Sequence, residues 1–387
     1  MNTKWTLPNN IEDSLPPESE FLDSLSHSIK SIFKSYGFYF IIPPSIEFLD
    51  SLNTLEKDHQ NNNNYFLTYD NNSNAPLAFR SDITVQAARI DSHILSYNKI
   101  NKLYYEGNIF TSSLDDEKST RETSQIGAEI FGSENILCDT ELQKILFEIL
   151  LKINLKNYFY TIGHVGFLTR YEPIIISKGL SLNSFYSSFK KRNRKMLQNT
   201  ISKLETKHQN FLLSLFEFNG SFSILNNIPK HLSNDDFFSS EVKKIKKLFR
   251  EFDHKNFYID FCDLYGFNYH NGITFSVFGD NSKECFIRGG RYNFIGKEFG
   301  KERPATGFTI NLNNVVNHLL KNNLISNNKS DLIYAPYIKE DALNKKIHNL
   351  RKSGKKVRYY YSISEIPKRI KKKSIIKKVN SKWVLVW

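Results

Sequence analysis

Two long runs with strand-like patterning, KLYYEGNIF (102–110) and RETSQIGAEIF (121–131), flank the polar stretch 112–120. Both are rich in β-branched and aromatic residues, and each is well above the usual strand length of about 5–6 residues. They predict a β-hairpin with a mobile tip. A lone hairpin is marginal in water, so the chain must supply further strands to build a core around it.

The rest of the pattern supplies them. FYFII (38–42) reads as a strand stopped by Pro43 and Pro44, and YFLTYD and APLAF flank the DNNSN turn as a second hairpin. NYFYTIG, NFYIDFCDL, YHNGITFSVFG, KECFIRGG and PATGFTINL complete the set. Helices are expected in ESEFLDSLSHSIKSIFKSYG, with an apolar face repeating every three or four residues and Gly37 closing it, and in ITVQAARIDSHI, which Ser81 or Asp82 would cap. Further helices are expected over about 135–153 and from near Asn313. Residues 164–252 alternate basic and apolar stretches as a helical insertion would.

Adjacent, mostly antiparallel strands with helices outside predict an α+β fold rather than a doubly wound one. The core is expected over 1–320 and a linker, KNNLISNNKS, over 321–330. A small basic α/β domain then fills 331–387: strand LIYAPY, helix DALNKKIHNLRKSG, strand VRYYY, helix IPKRIKK and a closing strand pair, SIIKKV and KWVLVW.

Composition excludes several classes of function. With 40% hydrophobic and 14% aromatic residues in 387, the chain can bury a large core. Its start is polar and acidic, and nothing in it approaches the roughly 18 unbroken apolar residues of a membrane span, so a cytoplasmic location and no membrane partner are expected. Cys138, Cys262 and Cys285 are odd in number and lack CxxC spacing, which indicates neither disulfides nor a metal site. The net charge of +13 suggests nucleic acid until it is located: residues 331–387 carry 16 Lys and Arg against 4 Asp and Glu, or +12 of the total. A solvated lysine-rich face accounts for that tail, and nucleic acid is not the expected partner. P-loop, GxGxxG, HExxH and GxSxG signatures are absent, so no cofactor and no catalytic residue is assigned.

Candidate binding residues sit on the strands. Alternation places Gln125, Gly127 and Glu129 on one face, where the glycine would leave a hole between an amide and a carboxylate. That suits a small zwitterion, since Glu129 accepts from an ammonium or imidazolium and Gln125 both donates and accepts. The same five residues are also what an exposed sheet face with a chance glutamate looks like. Asp82 offers a second carboxylate, or simply a helix cap. In YHNG, Tyr269 and Asn271 would share one strand face and His270 take the other, while RGGRYN reads as a glycine hinge between two arginines.

The order of these stretches is more telling than any one. FRSDIT, QIGAE, YHNG, GGRYN and PATGF together resemble the catalytic core of histidyl-tRNA synthetase, a class II aminoacyl-tRNA synthetase. IEDSLPPE, IPPSIEFLDSL, FRSDITVQAARID, RETSQIGAE, GHVGF, GGRYNFIGKEFG and RPATGF are closer still to a paralogous family, the regulatory subunits of ATP phosphoribosyltransferase, from the amino terminus to about residue 318. The resemblance implies a class II synthetase-like antiparallel sheet and a histidine-binding pocket of Asp82, Thr84, Gln125, Glu129, His270 and Tyr292. Here Asp82 replaces a longer glutamate and His270 a tyrosine.

It also implies lost chemistry. Activating an amino acid with ATP needs cations placed around the α-phosphate. The matching arginine positions hold Thr111, Tyr265 and Asn313 or Asn314, all neutral. Losing one preorganised donor slows such a reaction by roughly 10² to 10³, so losing three leaves a pocket without activation. The family role would be that of a non-catalytic subunit in the first step of histidine biosynthesis, joined to the short catalytic subunit in a hetero-octamer, with histidine as effector. The alternatives are an active histidyl-tRNA synthetase or a degenerate tRNA-binding paralogue.

Overall fold

The fold is given by a computed structural model, which describes residues 6–52, 65–95, 100–112, 120–264, 270–280, 285–293, 295–322, 324, 332–367 and 374–386. Two compact units are present, Met1–Leu324 and Ile325–Trp387.

Strands of the larger unit are β1 (Tyr39–Ile41), β2 (Ile46–Phe48), β3 (Leu67–Tyr69), β4 (Pro76–Phe79), β5 (Asn101–Phe110), β6 (Glu122–Phe131), β7 (Tyr158–His164), β8 (Asn219–Ser221), β9 (Phe257–Asp260), β10 (Ile273–Gly279), β11 (Cys285–Tyr292) and β12 (Ala305–Asn311). Nine of them form one sheet in the order β1-β5-β6-β12-β11-β10-β7-β9-β8. Its pairs are antiparallel except β1 with β5 and β7 with β9. A small sheet, β2-β4-β3, stands apart. The expected long hairpin is β5–β6, ten residues in each arm; its tip, 113–119, lies outside the described residues.

Among the helices are α1 (Glu18–Ser35), α2 (Thr84–His93), α3 (Ile136–Lys152), α4 (Asp236–Phe249) and α5 (Leu312–Lys321). The apolar stripe of α1 buries Leu25, Ile29, Ile32 and Phe33. Phe33 rests on Tyr104 of β5 and Phe308 of β12, at ring centroid distances of 5.5 and 6.0 Å. Gly37 has φ +79°, the left-handed conformation that lets the chain leave α1 and start β1. The stretch between β7 and β9 is largely helical, as read, and includes the short edge strand β8, which the sequence pattern did not reveal.

Strand alternation on β11 is the feature that positions the site. Arg291 points to the helix side, where it meets Asp139 of α3 at 2.6 Å, with Thr306 donating to the same carboxylate at 2.8 Å. Arg288 and Tyr292 are one residue out of phase with it and take the opposite face.

Two readings need correction. GGRYN is no hinge: Gly289 and Gly290 lie inside β11, paired on both sides with β10 and β12, because a central strand with close neighbours has no room for side chains there. YHNG is not strand, since β10 begins at Ile273; His270 and Asn271 lead into it, and Tyr269 lies outside the described residues. In the smaller unit, the helix read at IPKRIKK falls almost wholly on 368–373, outside the described residues; a short 3-10 turn, Ile363–Glu365, precedes that stretch.

That smaller unit has strands β13 (Ile333–Pro336), β14 (Val357–Tyr360), β15 (Ile375–Val379) and β16 (Lys382–Val386) in the order β14-β13-β15-β16, with helix α6 (Asp341–Lys352). Leu343 and Ile347 of α6 join Ile333, Ala335, Val357 and Ile376 in its core.

Candidate functional site

One cavity of about 230 Å³ opens on the sheet face opposite α1. It is lined by Asp82, Thr84, Gln125, Glu129, His270 and Tyr292, so the structure brings together all six residues singled out in the sequence. Ser81, Ile109, Arg288, Gly289, Gly307, Phe308 and Thr309 complete the wall. The volume falls below the roughly 300–1,000 Å³ of sites for drug-sized ligands and suits a small molecule such as an amino acid.

Glu129 is the centre of it. The residue is 1% exposed, and its carboxylate accepts a hydrogen bond from the Tyr105 hydroxyl at 2.9 Å and from the Tyr292 hydroxyl at 2.7 Å. Burial raises its pKa to about 8; the two tyrosine hydrogen bonds pull it back, and the nearby Asp82 charge pushes it further up. A buried acid that is mostly neutral at pH 7 ionises when a cation enters beside it, its proton passing to solvent.

The surrounding bonds fix these groups. Thr84 and Tyr105 share a hydrogen bond of 2.9 Å between their hydroxyls. Gln125 accepts from the Ile83 amide at 3.0 Å and donates to Asp82 at 3.2 Å. The same Asp82 oxygen accepts from the Thr84 amide at 3.0 Å, but neither Ser81 nor Asp82 caps α2 as the sequence suggested: the N-cap is Ile83, one residue later, and it has no side-chain cap hydrogen bond. The ring of His270, 8% exposed, stands edge-on to Tyr292 at 6.1 Å and 88°.

Two glycines act differently from expectation. The space over Gly127 is not a hole: Tyr105, its partner across the β5–β6 pair, lies there, and a Cβ on Gly127 would come within 2.5 Å of the Tyr105 hydroxyl. The glycine lets Tyr105 reach Glu129. Room for Glu129 itself is made by Gly307, paired with it on β12, where a Cβ would overlap the carboxylate. Tyr105 and Gly307 escaped sequence reading because both act through strand register rather than through a local motif.

The positions that read as lost arginines are used structurally. Thr111 pairs by its amide with the Arg121 carbonyl at 2.9 Å. Asn313 accepts from the Ser124 amide at 2.8 Å, and Asn314 donates to the Cys285 carbonyl at 3.1 Å, so these amides tie the start of α5 to the sheet. Tyr265 lies outside the described residues. Arg121 stacks over Phe66, 4.2 Å from its ring centroid, and is not part of the cavity wall. Among the described residues, no cluster of His, Cys, Asp and Glu could hold a metal ion, and no helix is long and apolar enough to cross a membrane.

Comparison with known proteins places this architecture. Residues 10–315 match the family model described as Histidyl-tRNA synthetase. Curated relatives include the ATP phosphoribosyltransferase regulatory subunit of Methylobacillus flagellatus, 29% identical over 391 residues with 99% of this chain and 98% of that protein covered. Those of Polynucleobacter asymbioticus and Paraburkholderia xenovorans are each 32% identical, covering 92% and 91% of this chain and 91% of either protein. Among solved structures, an ATP phosphoribosyltransferase regulatory subunit/histidyl-tRNA synthetase from Bacillus halodurans C superposes with a TM-score of 0.76 at 17% identity, over 94% of this chain and 95% of that one. Histidyl-tRNA synthetase from Nostoc sp. PCC 7120 gives 0.71 at 19% identity, over 92% and 86%. The chain therefore belongs to the histidyl-tRNA synthetase family and, within it, to the ATP phosphoribosyltransferase regulatory subunits.

Proposed function

We propose that this chain senses histidine in the Glu129 cavity and passes that signal to a short catalytic subunit of ATP phosphoribosyltransferase, which it also activates. The chain is the non-catalytic, regulatory member of the pair. The reading includes a cytoplasmic hetero-octamer with the catalytic subunit and no aminoacylation by this chain.

The observation that carries it is the combination at Glu129: a buried carboxylate with its pKa raised to about 8, held by two tyrosines in a small cavity. An ammonium or imidazolium entering the cavity restores the charge that burial suppresses. Neutral Thr111, Asn313 and Asn314 occupy the places where an activating enzyme needs cations, which supports recognition without chemistry. Inhibition then requires only that histidine bind two states of the complex unequally; about 1.4 kcal/mol gives a tenfold bias.

The test is reconstitution with the short catalytic subunit, following condensation of ATP with phosphoribosyl pyrophosphate. The wild-type chain is expected to raise the rate and histidine to lower it. Glu129→Gln is expected to keep the activation and lose the inhibition. Unchanged inhibition in Glu129→Gln would refute the site, and histidine-dependent ATP–pyrophosphate exchange by the chain alone would establish the synthetase alternative.

A further inference from the structure

We infer that Arg291, which is not part of the cavity wall, is a positioning residue for it: by tying the end of β11 to α3, it holds the Tyr292 hydroxyl on Glu129. The inference rests on the reading of that cavity as the histidine site and deepens it.

The end of β11 needs an anchor. Pairing of β11 with β10 stops at Gly290, opposite Thr274. Arg291 and Tyr292 are the last two residues of β11, and in the strand ladder they pair with β12 alone, opposite Thr306 and Ala305 at its own start. A strand end held on one side opens more readily than one held on two. Yet from that end Tyr292 must keep its hydroxyl 2.7 Å from a buried carboxylate.

The Arg291 side chain supplies the missing hold. On the helix side of the sheet its Nη2 donates to Asp139 at 2.6 Å, its Nε to both oxygens of that carboxylate at 3.2 Å, and its Nη1 to the Ser133 carbonyl at 2.9 Å. Asp139 lies in the first turn of α3 and Ser133 just before that helix, so one guanidinium clamps the whole corner after β6. Thr306, the cross-strand partner of Arg291, donates to the same Asp139 at 2.8 Å and to the Gly290 carbonyl at 3.3 Å. The Arg291 and Asp139 side chains are only 13% and 6% exposed, so solvent does not screen the pair as it does a surface one. The Arg291 carbonyl also accepts from the Asn271 amide at 3.1 Å, which ties the segment bearing His270 to the same point. Successive side chains of a strand point to opposite faces, so fixing Arg291 on the helix side fixes Tyr292 on the cavity side.

The experiment is urea unfolding of the full chain from pH 6 to pH 10, each protein measured against the same background carrying Glu129→Gln. That difference isolates Glu129: its contribution falls as pH rises and levels off once pH passes about 8. Asp82, Tyr105, His270 and Arg288 are common to every protein compared and drop out. Donation from Tyr292 holds the Glu129 pKa down, so Tyr292→Phe is expected to move the levelling point up by about one unit. Arg291→Lys, which keeps the charge without the planar fork, is expected to move it up by about half a unit, and to add nothing beside Tyr292→Phe. A role in stability alone lowers the curve equally at every pH. Arg170→Lys, at another bidentate arginine–aspartate pair outside the cavity wall, is the control expected to show only that. Should Arg291→Lys fail to fold, Asp139→Asn decides by the same readout. An unmoved levelling point, or a shift that persists in full beside Tyr292→Phe, overturns the role of Arg291. Calorimetric titration with L-histidine at pH 7 tests the cavity separately: Arg291→Lys is expected to bind about threefold more weakly than wild type, matching half a pH unit. No binding by the wild type overturns the histidine reading, while the pH shift still decides whether Arg291 positions Tyr292.

Discussion

Glutamine at position 129 gives the sharpest physical test, because it needs no ligand. The folded chain raises the Glu129 pKa from 4.5 to about 8 by burial. Between those values the native state holds a proton that the unfolded chain has released, so stability falls as pH rises. The contribution is fully present below pH 4.5 and is lost as pH climbs through about 8. At about 1.36 kcal/mol per unit, the wild type should lose about 3–4 kcal/mol between pH 5 and pH 8 that Glu129→Gln does not. The variant itself pays a fixed cost, since the amide can accept from one tyrosine only and must donate toward the other. That offset does not vary with pH and drops out of the comparison. Urea unfolding of both proteins, followed by circular dichroism at pH 5, 6, 7 and 8, measures the difference. Parallel stability curves would refute the claim that Glu129 is buried as a neutral acid.

Two more outcomes follow from the same geometry. At pH 7 a group with a pKa of about 8 is roughly nine-tenths protonated, so histidine binding with its α-ammonium against Glu129 should release about 0.9 proton per site; titrations in buffers of different ionisation enthalpy read this directly, and zero release would contradict an α-ammonium meeting Glu129. Gly307→Ala should destabilise the larger unit by about 1–3 kcal/mol and abolish histidine binding, because its Cβ falls on a carboxylate that two tyrosines hold in place. A thermal melt matching the wild type, with histidine still bound, would show that Glu129 has room the structure denies it.

What the sequence determined by itself was whatever local repetition encodes. Two-residue alternation placed Gln125 and Glu129 on one face, three- and four-residue spacing marked α1, and the succession from FRSDIT to PATGF named the family before any distance was known. Tertiary structure decided which residues meet. Tyr105 fills the space over Gly127 and Gly307 clears the space for Glu129, each through strand pairing, in the second case between residues 178 apart in the chain (307 − 129). GGRYN shows the limit plainly: two adjacent glycines suggest a hinge when only their own flexibility is considered, and become a rigid floor once β10 and β12 pair on both sides. The pKa of Glu129 is of the same kind. A carboxylate in QIGAE has an ordinary affinity for its proton until the folded sheet removes water from around it, and no property of those five residues alone records that loss.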